Sequence, residues 1–539
     1  MKTVFLGAAL VSGALVSMVA SPPRGEFRLK AETTGASGAT GVSGALTTVH
    51  VAAGQLAGAA DGSIAAFKGV PFAAPPVGDR RWRAPQAVTP WDGVRKADAF
   101  SASCIQNIAG ARKPWTAEFM AHGEISEDCL YLNVWTPAAS ASERHPVLLF
   151  IHGGANTEGS GSIAVYDGTG LASKGVVVVT INYRLGPFGF FAHPELTQEA
   201  PYHASGNYGL LDQIAAVKWV KTNIAAFGGD PARITVAGQS AGAFGVRNLL
   251  ISPLAAGQFQ RAIAESGVSL SGASRTLADA EQDGVRFARA KSVSSLAELR
   301  ALPAAQIATP PVGGAPYRWG TIVDNYALMS SEADAFASGR HNDVPVLTGI
   351  NRDEGGAVPQ PTVTADAFKK QFEQRYGGHA GELLALYPAG SDDEAHVAQN
   401  ASARDIARVT TSIWATARAK TSKAKTFTYF WDHTLPGPDA AQYGAFHTSE
   451  VPYAMNTLAF SDRPFTADDK KIADMLSSYW ANFAAAGDPN GKGLPRWPSV
   501  GEQPEQTMNV GDTFAPIPLA GSAAKLRLLQ TLLTPKPKS

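Results

Sequence analysis

Short, almost unbroken apolar runs rich in β-branched residues recur along the chain: PVLLFI at 146–151, VVVVTI at 176–181, ITVAG at 234–238, VPVLTGI at 344–350 and TFTYFW at 426–431. A strand with one wet face alternates apolar and polar residues. A run without alternation predicts a strand covered on both faces. Each run is followed by a loop and then a helical pattern. Between the second and third lies DQIAAVKWVKTNIAAFG, in which Ile214, Val217 and Val220 recur at helical spacing. Strand, helix, strand is the unit of a mostly parallel sheet with helices on its faces, so the predicted fold class is α/β. Residues 270–342 and 355–425 are richer in helix-forming and polar residues and read as helical insertions over the carboxyl edge of that sheet. No linker divides the chain into independent domains, although it has 539 residues.

The first residues follow a different pattern. Lys2 precedes TVFLGAALVSGALVSMVA, a basic start and an apolar stretch that ends on the small residue Ala20. That is the layout of an export signal over residues 1–20, and its removal leaves no membrane span in the mature chain. Residues 21–48, rich in Gly, Ala, Ser and Thr, read as a flexible lead-in, and 49–539 as the folded domain. The 46 basic residues equal the 46 acidic ones, which gives no reason to expect a nucleic-acid partner. Two cysteines, Cys104 and Cys129, are too few to complete a metal shell, and their even number fits one disulfide in an exported chain. No cofactor motif is present, and NAS at Asn400 is a glycosylation sequon.

The chemistry begins where the 234–238 run ends. GQSAG, residues 238–242, places one serine between two glycines at a strand-to-helix turn. Such a turn exposes the Ser240 hydroxyl beyond the carboxyl end of a parallel strand, where ligands bind. FIHGGAN, residues 150–156, follows another strand about ninety residues earlier. Its glycine-rich backbone can offer N–H groups to a tetrahedral oxyanion, with Gly154 and Ala155 as donors beside the N–H of Ala241. A serine hydroxyl is a weak nucleophile and needs a base, which in turn needs a carboxylate to orient it. GINRDEGG offers Asp353 and Glu354 after a strand, and GAFHTSEVPY offers His447 in a later loop, with His433 as its competitor.

Longer motifs accompany these: FKGVPFAAPPVGDRRWRAPQ from Phe67, SEDCLYLNVWTP from Ser126, INYRLGPFGFF from Ile181, GNYGLLDQ from Gly206 and FGGDPARITVAGQSAG from Phe227. In them the chain resembles the type-B carboxylesterases, from about Val49 to the C-terminus. The resemblance implies an α/β-hydrolase fold, ester hydrolysis without a cofactor, and a small-molecule ester as partner. Position by position it implies Ser240 as nucleophile, Glu354 as acid, His447 as base, and Gly154, Ala155 and Ala241 as oxyanion donors. It also implies a Cys104–Cys129 disulfide near the mouth of the site and a supporting role for Ser266 behind the acid.

Some positions depart from the family pattern. Gln239 stands where a glutamate is usual and is not expected to touch the chemistry. Ala155 replaces a third glycine, and Asn156 an aromatic residue. Trp115 is off the choline-binding position, so choline specificity is not implied. Asn156, Glu158, Trp115 and Phe119 are the candidate substrate contacts. If Glu158 faces the pocket unpaired it disfavours anionic acyl groups, whereas pairing with an arginine removes that effect. Two rivals to the esterase reading are an adhesion protein on the same fold and a hydrolase of amides, lactones or carbamates.

Overall fold

The computed structural model describes residues 44–108, 112–270, 274–310, 317–354 and 363–535. The expected export signal and most of the lead-in lie outside them. The last lead-in residues already belong to the fold: Leu46 N–H donates to Ala138 O at 3.3 Å, and a strand begins at Thr48.

Eleven strands form one sheet: β1 (Ala59–Asp61), β2 (Ile64–Pro71), β3 (Tyr131–Thr136), β4 (His145–Ile151), β5 (Val177–Ile181), β6 (Gly229–Gln239), β7 (Arg261–Glu265), β8 (Val346–Asn351), β9 (Thr426–Trp431), β10 (Gln506–Val510) and β11 (Ala515–Pro518). Their spatial order is β11-β10-β9-β8-β7-β6-β4-β5-β3-β2-β1. Every pair from β10 across to β5 is parallel, and the flanking pairs are antiparallel. All five apolar runs are central strands. Their lack of alternation has the expected cause: Val147, Leu149 and Ile151 of β4 pack into one core, while Leu148 and Phe150 pack into another on the opposite face. β6 passes β5 and pairs with β4, so the crossover skips one strand.

Four helices matter for the site. They are α1 (Tyr208–Asn223), α2 (Ala241–Ile251), α3 (Asp392–Ala419) and α4 (Ala467–Ala486). α1 carries Ile214, Val217 and Val220 into the core. α4 starts on a Thr466–Asp469 capping box and ends at Gly487 in a left-handed conformation, φ 74°. The Asn400 sequon falls within α3 with its asparagine only 7% exposed, which closes it to a glycosylating enzyme.

Cys104 and Cys129 are joined. The bridge closes a segment of 25 residues. In the chain-entropy account such a loop stabilises the fold by about 3 kcal/mol. Cys129→Ser is therefore expected to lower the unfolding free energy by about that figure and to raise the m-value in urea, because the unfolded chain is no longer cross-linked. An unchanged midpoint in equilibrium denaturation would show that the bridge adds nothing.

Candidate active site

β4, β6 and β8 end at Ile151, Gln239 and Asn351, and the candidate residues lie just beyond these carboxyl ends. Ser240 sits between β6 and α2 at φ 56°, ψ −119°, a conformation that disfavours any side chain and is kept only where its surroundings impose it. What imposes it is contact. A Cβ on Gly242 would lie 1.9 Å from Ile151 O, and one on Gly238 2.8 Å from the same oxygen. Backbone therefore packs on backbone, the turn is sharp, and the serine stands at its apex. The first N–H groups of α2 have no intrahelical acceptor and lie at the positive end of its dipole.

The HGG loop folds against that apex. A Cβ on Gly153 would come within 3.1 Å of Ser240 Cβ. Gly154, Ala155 and Asn156 follow with φ of 104°, 54° and 61°, a left-handed run that turns successive N–H groups to one side. The N–H groups of Gly154, Ala155 and Ala241 find no acceptor among the described residues. His152, whose ring stacks on Tyr183 at 4.5 Å between centroids, is driven down to about 4 by burial and so stays neutral.

Glu354 follows β8, and the Asn351 N–H donates to its Oε1 at 2.7 Å. Its Oε2 bonds to Nδ1 of His447. The loop carrying His447 is held from two sides: Asn351 Nδ2 donates to Phe446 O, and Trp115 Nε1 donates to His447 O at 3.2 Å. Burial pulls the imidazole down, but Glu354 and Glu450 outweigh it and hold His447 above its ordinary value. The two residues that competed for these places are engaged elsewhere. Arg352 and Arg404 hold the Asp353 carboxyl below the usual range against the opposing effect of its burial. His433 bridges Asp469 and Asp512 at 2.9 and 2.6 Å.

Two side chains named from the sequence lie beside this pair or behind it. Gln239, expected to stand apart, places its Nε2 3.3 Å from Nε2 of His447. Gln239 ends the strand and Ser240 follows it, so the two side chains leave successive positions of one sharp turn. The buried Ser266 hydroxyl makes no hydrogen bond among the described residues, while the Asn351 backbone N–H donates to Glu354.

Sequence reasoning missed Glu450 and Glu265. Both are buried, at 0% and 1% exposure, and each is raised above the ordinary carboxyl value by burial first and by a neighbouring glutamate second. The signals were slight: Glu450 stands three positions after His447, and Glu265 closes the apolar run AIA of β7.

The substrate candidates divide. Glu158 is paired with Arg112, whose NH1 donates to it at 2.9 Å, and the guanidinium is about half exposed. Asn156 accepts the Gly186 N–H at its backbone oxygen, at 2.6 Å. Trp115 is spent on the His447 loop, and Phe119 packs edge-on against Phe446, with centroids 5.9 Å apart. Gln106, inside the same disulfide segment, bonds both the N–H and the carbonyl of Gly159, each at 2.8 Å. Among the described residues no cluster of three or more His, Cys, Asp or Glu side chains is arranged to hold a metal ion.

Known proteins resemble this chain along most of its length. The model of the carboxylesterase family matches residues 45–527. The chain is 38% identical to fumonisin B1 esterase of Sphingopyxis macrogoltabida, over 83% of this chain and 84% of that one. It is 34% identical to para-nitrobenzyl esterase of Bacillus subtilis, over 84% and 93%. A solved PNB esterase structure superimposes with a TM-score of 0.75 at 30% identity, covering 91% of this chain and all of that one. The family match and these relatives span almost the whole sheet, and the chain belongs to the carboxylesterase family, enzymes that hydrolyse ester bonds.

Proposed function

We propose that Ser240 is the nucleophile, His447 the general base and acid, and Glu354 the residue that orients the imidazole. The observation that carries this reading is the Glu354–His447 pair delivered to the strained serine turn, with Gln239 marking the contact at 3.3 Å. Glu354 accepts from Nδ1–H and leaves Nε2 as the free lone pair. Ser240 Oγ attacks the ester carbonyl carbon and its proton passes to Nε2. The carbonyl oxygen becomes an oxyanion that the N–H groups of Gly154, Ala155 and Ala241 stabilise, a reading supported by the lack of any other acceptor for them among the described residues. The intermediate collapses, the alcohol leaves with the proton from Nε2, and an acyl-serine remains. Water then repeats the sequence and releases the acid. Hydrolysis of a short-chain 4-nitrophenyl ester, with a pre-steady-state burst equal to the number of enzyme molecules, tests the acyl-enzyme.

The relatives named above act on a fumonisin and a para-nitrobenzyl ester, and we carry over to this chain only a small-molecule ester as substrate. The adhesion reading gains no support, since the relatives are esterases. The Lys2-led apolar run and the Cys104–Cys129 bridge together support export.

The Arg112 pair changes what Glu158 does. A partly solvated ion pair is close to neutral, and such pairs contribute about 0–1 kcal/mol. Glu158→Gln is therefore expected to change the ratio of kcat/KM for size-matched neutral and carboxylate-bearing esters by less than about fivefold. A change of a hundredfold would show that Glu158 acts on the substrate as a bare charge.

A further inference from the structure

We propose that Gln239 is a positioning residue: its buried side-chain amide donates to Nε2 of the uncharged His447 ring and thereby sets the pH range in which the base is free to work. This rests on the triad reading above and adds a fourth side chain to it.

Gln239 is the last residue of β6 and is 1% exposed. Its side chain runs between the HGG loop and the imidazole. A Cβ on Gly153 would lie 2.9 Å from Gln239 Oε1, while Nε2 of the amide lies 3.3 Å from Nε2 of His447. The tautomer then follows from the partners. Glu354 accepts at Nδ1, so Nδ1 carries the hydrogen and Nε2 of a neutral ring is a bare lone pair. An amide NH2 satisfies that lone pair. An imidazolium would instead present N–H there, and the amide would have to turn its oxygen over or let go. The contact as it stands therefore favours the neutral ring.

Other groups facing the ring pull the opposite way. Glu354 comes from the loop after β8, and Glu450 stands at the head of the turn Val451–Ala454. Behind Glu450 lies Glu265 of β7, with Trp480 of α4 donating to it at 2.7 Å, and the Tyr429 hydroxyl of β9 lies in the field of all three carboxyl groups. Of these, Glu354 and Glu450 favour a charged imidazole. Gln239 is the uncharged counterweight on the Nε2 side, and it occupies the lone pair that Ser240 must use. The ring leaves the amide for the serine when chemistry begins.

A carboxylate at position 239 reverses the contact. It accepts from a protonated Nε2 and adds negative charge within hydrogen-bonding reach, and such a charge at that range typically raises the partner's pKa by about one unit or more. The test measures kcat/KM against pH for a neutral 4-nitrophenyl ester, at constant ionic strength, in the unmodified enzyme, Gln239→Glu, Gln239→Met and Ser240→Ala. The acid limb is expected to move to higher pH by about one unit in Gln239→Glu, making the variant about tenfold weaker at the foot of the limb than on the plateau comparison. In Gln239→Met, which keeps the bulk but loses the donor, the limb moves the same way by less. If Gln239 only fills space, activity falls equally at every pH and the limb stays in place. Coincident limbs in whichever of the two variants folds, with Ser240→Ala inactive, overturn the proposal and leave the triad standing. Retained activity in Ser240→Ala overturns the triad and this proposal with it.

Discussion

Ser240→Ala is expected to lower kcat/KM for a short-chain ester by a factor on the order of 10⁴ to 10⁶ while leaving the unfolding transition in place. The size of the loss follows from the role. Without Oγ there is no acyl-enzyme, and the oxyanion donors are left to assist direct attack by water, which retains only a small part of the acceleration. Stability is spared for a local reason. The clashes that dictate the turn lie at Gly238 and Gly242, on either side of the serine, so an alanine between them meets the same backbone it replaces. Retention of more than about a hundredth of the original kcat/KM would mean that another group opens the ester.

His447→Ala is expected to be nearly as damaging, because nucleophile and base act as one unit and their losses do not add. His433→Ala makes the contrast. His433 ties Asp469, the capping residue of α4, to Asp512, so its removal acts on the helix start and not on the ester. That variant is expected to lose stability of about 1 kcal/mol, the usual scale for a weakened cap, with kcat within a few-fold. Steady-state kinetics and thermal unfolding of both variants check the pair. Equal kinetic damage, or greater damage at His433, would move the base assignment.

What was legible in the sequence, and what was not, divides along one physical line. The central strands were legible because burial on both faces leaves only apolar residues in them. β7 was not: RAIAE carries a charge at each end, and it is a central strand only because β6 and β8 cover its backbone edges. The serine turn was legible because its requirement is local, two glycines at fixed offsets. Choosing between Asp353 and Glu354 was a different matter. They are chain neighbours, and what separates them is Arg404, which comes from α3 to hold Asp353. The Gln239 contact depends likewise on where a loop two hundred residues later comes to rest. Family resemblance pointed to Glu354 and His447, and to Ser266, whose hydroxyl makes no hydrogen bond among the described residues, since a family pattern gives the position of a side chain and not the direction of its bond.

The disulfide segment joins two places that catalysis needs in register. Gln106 grips Gly159 beyond the oxyanion donors, Arg112 grips Glu158, and Trp115 grips the backbone of His447. The loop after the HGG turn and the loop that carries His447 are therefore both tied to one segment outside the central sheet. Local opening of such a segment needs far less free energy than global unfolding. A change that frees this segment is therefore expected to lower activity at a temperature or urea concentration below that of global unfolding, which activity and unfolding followed side by side would show.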